Sequence, residues 1–270
     1  MFLTKKGFWK IAIMAIAYFL IGSFSFAAGI FLSLLGGDAA LLFWLGAFVY
    51  AFGVLLVFWG RYSEGKGKLL YSALRLIRVE LKPAEFIKKY EDLKNSPDLI
   101  VNKPDFDVLQ MVTVAYDCLG DQERALATVD EMLAIASPKK QAYAKLIKAS
   151  YLYSYRKIDE AERLFNEAQK SKLDVKSNLL MDAILKNGRA MAMEDYPIVE
   201  SYCLKLLDQK LPKPDNLGKL IIHHTLGEAY EKSQAPEKAA SHYRYCVQHG
   251  GETAIKESAQ AALERIEAFG

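Results

Sequence analysis

The sequence predicts an all-α protein in which two apolar, membrane-spanning helices precede an array of paired amphipathic helices. Within residues 11–60 the only charged side chain is that of Asp38, although 25% of the whole chain is charged. After residue 60, apolar side chains recur three to five positions apart, which places them on one face of an α-helix. The 52% hydrophobic content is therefore divided between a uniformly apolar beginning and an amphipathic remainder.

The apolar beginning, residues 1–62, contains two uncharged runs. Residues 11–35 and 39–60 form runs of 25 and 22 residues. Each run is long enough to cross a hydrocarbon core of roughly 30 Å. Only Gly36, Gly37 and Asp38 lie between them. Because so short a connection leaves no room for a domain, we expect a transmembrane hairpin whose two ends lie on one side of the membrane.

Basic residues flank this hairpin and predict its orientation. They are Lys5, Lys6 and Lys10 before the first run and Arg61, Lys66 and Lys68 after the second. Because positive charge is retained on the cytoplasmic side, we expect both termini and the helix pairs to be cytoplasmic. A bacterial inner membrane is the simplest host, and an organelle membrane satisfies the same argument.

Glycines recur every seven residues in both runs, an interval that keeps them on one helical face. Small residues let membrane helices approach closely, either each other or a membrane partner. The glycines predicted to mediate this packing are Gly22, Gly29, Gly46 and Gly53. Two alternatives stay open. Glycine is simply frequent in membrane helices, or the first run is a signal peptide cut after Ala27, although its apolar residues continue through Leu35.

Residues 63–98 connect the hairpin to the array and are predicted to form two short amphipathic helices, the second beginning at Pro83. Phe86 and Tyr90 occupy places that packing residues take in a repeat, so this connector can also be interpreted as a degenerate repeat. Its Arg75 and Arg78 extend the basic cluster that follows the second run. That cluster either binds membrane lipid through anionic headgroups or serves only as a topology signal.

Four pairs of residues nine positions apart recur along residues 99–251. They are Tyr116 and Ala125, Leu152 and Ala161, Ala190 and Val199, and Tyr230 and Ala239. Successive pairs are 36, 38 and 40 residues apart, a period typical of helical repeat arrays. We expect each unit to be an antiparallel helix pair, which must stack on its neighbours to bury its apolar face.

The last of these units carries the fullest motif. Leu226, Gly227 and Tyr230 precede a polar turn, and Ala239 and Tyr243 follow it, an order that resembles a tetratricopeptide (TPR) repeat. The resemblance implies a TPR-like α-solenoid of about four helix pairs that holds protein partners. The third unit departs from the motif at Asn187, Pro197 and Val199. Residues 252–270 are expected to form a helix that caps the array.

In the TPR family the concave surface is lined by first-helix residues at fixed offsets from the aromatic anchor. The apolar residues at these offsets are Tyr143, Leu146, Tyr153, Met181, Ile184, Met191 and Ile221. The resemblance implies a groove for a protein or peptide partner, and its Tyr and Met content suits an amphipathic helix. The alternative is that these side chains pack against neighbouring helices or against the juxtamembrane segment.

The sequence contains none of the common catalytic or cofactor motifs. It has no GxGxxG or GxxxxGK[ST] phosphate loop, no HExxH and no GxSxG. His242, Cys246 and His249 are spaced as metal ligands can be, but Cys246 occupies a packing position of the repeat. A net charge of +3 without an arginine-rich run does not indicate nucleic acid. We therefore expect no enzyme activity, no cofactor, no metal and no nucleic-acid partner.

The expected function is that of a membrane-anchored TPR scaffold or adaptor on the cytoplasmic side. The alternative is a regulatory subunit of a membrane enzyme or transporter complex that associates through the glycine-faced hairpin. Assembly into a homo-oligomer is compatible with either role. Cys118, Cys203 and Cys246 form no CxxC pair, and we expect them to be reduced thiols of a cytosolic compartment.

Overall fold

The computed structural model describes residues 5–35, 40–95, 105–172, 174–209 and 215–269. Every regular element in these ranges is an α- or π-helix, which confirms the predicted all-α class. The described residues form two compact units. One, the apolar unit, comes from Met1–Leu69 and Leu93–Lys103, and the other, the array unit, comes from Leu70–Asp92 and Pro104–Gly270. Most of the predicted connector therefore belongs to the same unit as the helix pairs.

The apolar unit is built on two long helices, α1 (Lys5–Leu34) and α2 (Ala40–Ala73). Among the described residues, one segment is long and apolar enough to cross a membrane, Ile13–Leu34 in α1. In α2, Ala40–Leu56 is a shorter apolar segment. The predicted turn at residues 36–38 lies outside the described residues.

Ring contacts show that α1 and α2 pack in an antiparallel arrangement. Tyr18 lies edge-on to Phe52 with ring centroids 5.1 Å apart. Farther along α1, Phe26 contacts the earlier α2 residue Phe43 at 5.9 Å. Large apolar side chains point away from this contact, and Trp44 is 77% exposed. An exposed apolar surface of this kind is suited to a hydrocarbon environment rather than to water.

The array unit begins at Leu70, in the last turn of α2. A π-helical segment, π1 (Leu74–Val79), follows α2 directly and leads to α3 (Pro83–Lys94). The first helix predicted for the connector is thus a continuation of α2 rather than a separate element. The second begins at Pro83, as predicted, because proline needs no hydrogen-bond partner for its nitrogen in the first turn of a helix.

Four helix pairs and a final helix make up the rest of the described array unit. The first two pairs are α4 (Phe106–Cys118) with α5 (Gln122–Ile135) and α6 (Gln141–Ser154) with α7 (Ile158–Gln169). In the third pair the first helix is interrupted and consists of α8 (Val175–Ala183), π2 (Ile184–Arg189) and α9 (Ala190–Ala192), and the second helix is α10 (Tyr196–Asp208). The fourth pair is α11 (Asn216–Lys232) with α12 (Pro236–His249), and the final helix is α13 (Ala254–Phe269). Successive pairs contact each other through α5 with α6, α6 with α8 and π2, and α10 with α11. The helix α13 packs on α12.

The turn inside each pair has the same backbone conformation in all four units. Gly120, Arg156, Glu194 and Gln234 have positive φ angles of 75°, 60°, 61° and 58°. In each turn the next residue donates its N–H to a carbonyl five residues earlier, at 3.0, 2.8, 2.8 and 2.8 Å. This is the Schellman arrangement that ends a helix. These four residues are 36, 38 and 40 positions apart, the same steps as the residue pairs seen in the sequence.

The third unit differs from the others inside its first helix. The segment π2 interrupts that helix and contains Asn187 and Gly188. The side-chain oxygen Oδ1 of Asn187 is buried without a hydrogen-bond partner among the described residues. Pro197 lies in the first turn of α10, where it breaks no hydrogen bond of the helix. The unit therefore keeps its turn despite its poor match to the motif.

The interior of the array is apolar and closely packed. Leu152, Phe165 and Ile184 lie in one buried cluster that joins α6, α7 and π2. In the last unit, a Cβ placed on Gly227 would be only 2.6 Å from a ring carbon of Tyr243. Since real Cβ atoms do not approach other atoms so closely, this contact between α11 and α12 requires glycine.

Candidate partner-binding surfaces

The residues predicted to line an open groove are mostly buried within the array. The relative exposures of Tyr143, Leu146, Tyr153, Ile184 and Met191 are 8%, 0%, 1%, 3% and 8%. Leu146, Tyr153 and Ile184 belong to the same apolar cluster. Met181 is half-buried, and Ile221 is 40% exposed. In this structure these side chains therefore pack against neighbouring helices, which is the alternative that the sequence left open.

Polar contacts also close this surface between the second and third units. The hydroxyl of Tyr153 donates to Glu162 at 2.8 Å, and Arg189 Nε donates to the same carboxylate at 2.6 Å. Burial raises the pKa of Glu162, but the hydrogen bonds from Arg189 and Tyr153 outweigh it, so the net shift is downward. The carboxylate therefore stays ionised and holds π2 against α6 and α7.

A second polar cluster links the first and second units. The hydroxyl of Tyr155 donates to Asp117 at 2.6 Å. Burial raises the pKa of Asp117, and the hydrogen bond from Tyr155 only partly offsets this. In a separate contact between α4 and α6, the side-chain amide of Gln110 donates to the hydroxyl of Tyr143 at 3.1 Å. These groups satisfy one another, so we assign them a structural role in joining α4 to α6.

Part of the array is covered by residues 74–92, which we call the strap. Its side chains Leu76, Ile77, Leu81 and Phe86 are between 0% and 3% exposed. The segment π1 of the strap contacts α11 of the last unit. The strap therefore contributes to the core of the array unit although it lies far from α11 in sequence.

Three polar contacts hold the strap to the last unit. Arg78 donates to both carboxylate oxygens of Asp215, at 3.2 and 2.5 Å. The side-chain amide of Asn216 donates to the carbonyl of Val79 at 2.7 Å. The backbone N–H of Glu252 donates to the carbonyl of Leu81 at 3.0 Å. We call these three contacts the latch.

The end of the latch depends on close backbone packing. A Cβ on Gly251 would lie 2.6 Å from the Cβ of Leu81 and 2.9 Å from its carbonyl oxygen. Both residues have positive φ angles, 58° for Gly251 and 55° for Leu81. Only glycine fits at residue 251. Sequence reasoning missed these residues, because the sole local signal is the pair of adjacent glycines at residues 250 and 251.

The other end of the strap lies near the first helix pair. Burial raises the pKa of Tyr90 in α3, with further contributions from the nearby Glu131 and Tyr116. The first unit also approaches the final helix, since a Cβ on Gly120 would lie 3.1 Å from the Cβ of Ala254 at the beginning of α13. The strap thus reaches both the first and the last unit.

Three of the four glycines predicted to pack membrane helices lie between α1 and α2. A Cβ on Gly22 would be 2.8 Å from the ring of Tyr50, and one on Gly46 would be 2.7 Å from the ring of Phe26. Gly53 faces Tyr18 at 3.5 Å. The hydroxyls of Ser23 and Tyr50 are hydrogen-bonded beside Gly22. The fourth glycine, Gly29, also lies in α1.

The histidines of the last unit form a ladder of rings with its tyrosines. His223 stacks on Tyr245 with centroids 3.7 Å apart, and His223 Nδ1 lies 2.9 Å from His242 Nδ1. His249 contacts Tyr245, whereas Cys246 directs its thiol at the carbonyl of Leu220. No group of three or more His, Cys, Asp or Glu side chains suited to a metal ion occurs among the described residues. The ladder packs α11 against α12.

Apolar side chains remain accessible on α8. Val175 is 78% exposed and Leu179 is 68% exposed, and their spacing of four residues places them on one face of the helix. These two residues were not identified from the sequence, although apolar residues four positions apart are the usual sign of an apolar helix face. They provide an accessible apolar surface on the third unit.

Comparison with known proteins identified no relative of this chain. The chain matches no protein-family model, no curated protein and no solved structure. What can be concluded about its function therefore rests on its own residues and their geometry.

Proposed function

We propose that this chain is a membrane-anchored scaffold or adaptor that binds protein partners through a TPR-like α-solenoid. The observation that carries the proposal is the recurrence of one turn conformation in four helix pairs, on a chain that begins with an apolar helix pair. Stacked repeats of this kind present extended surfaces rather than an enclosed pocket. The apolar face of α8 that Val175 and Leu179 form is exposed, and this supports a role in binding.

The anchor in this proposal is a two-span hairpin. Residues 13–34 satisfy the length that a span needs, and α2 is antiparallel to α1 over residues 43–52. With basic residues at the beginning of α1 and within α2 after its apolar part, both termini and the array unit lie on the cytoplasmic side, most simply of a bacterial inner membrane. Arg75 and Arg78 pair with Glu80 and Asp215 within the chain, which favours the topology interpretation of the basic cluster over lipid binding for these two.

The alternative role, a regulatory subunit that associates through its hairpin glycines, has less support. Gly22, Gly46 and Gly53 each face a side chain of the other helix. A glycine face that is used between α1 and α2 is not free to pack a further membrane helix. A homo-oligomer, in which two copies associate through the array, remains compatible with the scaffold role.

Crosslinking in native membranes followed by mass spectrometry tests the proposal. The informative variant is Val175→Glu with Leu179→Glu, because both side chains are exposed and the substitution should leave the fold intact. Substituting glutamate for the buried Leu146 and Ile184 would instead unfold the array. The matched control is Asn166→Glu with Asn178→Glu, which places the same charges at exposed polar positions.

The scaffold proposal expects a partner that crosslinks to the array in the wild type and in the control, and that is lost in the Val175 and Leu179 variant. Crosslinks confined to α1 and α2 and unchanged in that variant would support the regulatory-subunit alternative. Mass photometry of the purified protein would separate self-association from binding of a different protein.

A further inference from the structure

The strap has the properties of a bound peptide rather than of a repeat helix. Its buried apolar residues Leu76 and Ile77 lie in π1 and Leu81 follows that helix, so a short segment places three apolar side chains in the core of the array unit, as an anchored peptide does. Among the described residues, its polar contacts to the array include the three of the latch. Two of these involve the side chains of Asp215 and Asn216, at the beginning of α11.

The backbone of the strap is held in conformations that an isolated helix avoids. Residues 74–79 are π-helical, with Glu80 N–H bonded to the carbonyl of Arg75 at 2.9 Å. Leu81 has a φ of 55°, a left-handed conformation that is unfavourable for a residue with a side chain. Because π-helices are rare and occur mostly as short functional interruptions, the docked conformation depends on the array that supports it.

The array carries the negative charge of Asp215 at this surface, and any segment that binds there must balance it with a positive charge. The side chain of Asp215 is only 18% exposed, whereas its partner Arg78 is 46% exposed. Asp215 also caps α11, since one of its carboxylate oxygens accepts the N–H of Gly218 at 3.0 Å. Removal of the strap would leave this carboxylate beside an uncovered apolar surface, so a replacement with a basic side chain at the same place is favoured.

We propose that the strap is an intramolecular occupant of a binding surface on the last unit, and that a partner helix binds there by displacing it. The partner is a segment whose helical part places apolar side chains at the positions of Leu76 and Ile77, with an apolar side chain after the helix in place of Leu81 and a basic side chain opposite Asp215. The array then has a covered state, seen here, and an open state. This inference rests on the proposed scaffold function and adds a regulated surface to it.

The test uses the full-length protein in detergent micelles and a fluorescent peptide of residues 70–94 as the probe. In Arg78→Glu the latch is broken by like charge, so the strap opens and the peptide, which keeps Arg78, should bind at least roughly tenfold more tightly than to the wild type. Arg75→Glu is the matched control, because Arg75 forms an ion pair with Glu80 within the strap, at 2.8 Å. Arg78→Lys, which keeps the charge, should behave more like the wild type.

Hydrogen exchange provides a second, local readout. The amide of Glu252 is bonded to the carbonyl of Leu81, so its exchange rate reports whether the strap is docked. Arg78→Glu should speed this exchange by roughly tenfold and leave α6 and α7 unchanged. Asn216→Ala, which removes a different latch contact at an exposed residue, should act in the same direction with a smaller effect.

Two results would overturn the inference. If exchange accelerates throughout α4 to α12 in Arg78→Glu and in Asn216→Ala, the strap is a permanent part of the core. If the peptide binds no variant more tightly than the wild type, the surface accepts no replacement helix. Neither result bears on the crosslinking of partners to α8, so failure of this inference is distinguishable from failure of the scaffold proposal.

Discussion

The apolar unit and the array unit are both helical, but they distribute their large side chains in opposite ways. In the apolar unit Phe24 and Trp44 are each 77% exposed, while the contact between α1 and α2 contains Gly22 and Gly46. In the array, Leu152 and Phe165 are 0% and 2% exposed. The difference shows which surroundings each unit is built for, since water drives apolar groups inward and lipid does not.

Glycine has a different purpose in the two units. Gly46 leaves room for the ring of Phe26 from the facing helix α1. In the array, Gly227 receives the ring of Tyr243, but Gly120 and Gly251 are needed for their positive φ angles. Close helix approach is therefore common to both units, whereas special backbone conformation belongs to the turns of the array.

The largest expected effect is a loss of unfolding free energy when a polar side chain replaces a buried, rather than an exposed, leucine of the array. Leu146→Asn places a polar group in a side chain that is 0% exposed and should cost about 4 kcal/mol of unfolding free energy. The matched change Leu179→Asn, at a side chain 68% exposed, should stay within about 0.5 kcal/mol. Urea unfolding followed by circular dichroism measures both. Equal losses would contradict the burial pattern described for the array.

A smaller effect is expected from adding a methyl group at glycines of the array. Gly227→Ala forces the ring of Tyr243 to move and should destabilise the array by about 2 kcal/mol. Gly188→Ala meets Tyr153 at an ordinary contact distance of 3.5 Å and should change stability by less than about 1 kcal/mol. The same unfolding measurement applies, and a loss at Gly188 as large as that at Gly227 would refute the close-packing argument.

The corresponding change in the apolar unit is Gly46→Ile. It separates α1 from α2 at Phe26, whereas Ala47→Ile alters an exposed neighbour. We expect disulfide formation between cysteines placed at Tyr18 and Phe52 to slow about fivefold in the first variant, a change of about 1 kcal/mol. Ala47→Ile should leave the rate unchanged. Unaltered crosslinking in Gly46→Ile would mean that this glycine does not set the helix approach.

The smallest expected effect is a pH dependence of stability that arises from His223 in the ring ladder of the last unit. Burial, together with the nearby His242, His249 and Lys219, lowers the pKa of His223 to about 4. Between pH 6.5 and 4, the His223 ring is therefore protonated more in the unfolded state than in the folded state. The contribution of the neutral, half-buried ring to the free energy of unfolding is complete above pH 6.5 and is lost as the pH falls through that interval. The Tm advantage of the wild type over His223→Gln should therefore shrink on acidification. An advantage that grows would show the opposite shift.

The spacing of the residue pairs in the sequence matches the spacing of the turns, but it did not reveal the long-range contacts. The step of 36, 38 and 40 residues between Tyr116, Leu152, Ala190 and Tyr230 recurs in the turns at residues 120, 156, 194 and 234. This recurrence is visible in sequence because each turn follows its anchor at a fixed distance. The helix boundaries near Pro83 and Pro236 were also accessible, since proline favours the first turn of a helix.

The exposure of the groove residues could not be read from spacing. Assigning Leu146 and Ile184 to an open surface assumes the curvature of a regular TPR array, but both are buried here. Burial follows from how closely successive units stack, which does not depend on a local pattern. The contact of Leu81 with Gly251 joins residues 170 positions apart without any period, so only the folded chain reveals it.

The account depends most on a two-span anchor that leaves the array unit in the cytoplasm. Labelling with a membrane-impermeant maleimide tests this with two single cysteines, Gly37→Cys in the predicted turn and Ser201→Cys on the exposed side of α10. The native thiols are buried and should not react. We predict that residue 37 is labelled only from outside intact cells and residue 201 only in inverted vesicles. Labelling of both residues from the same side would contradict the hairpin.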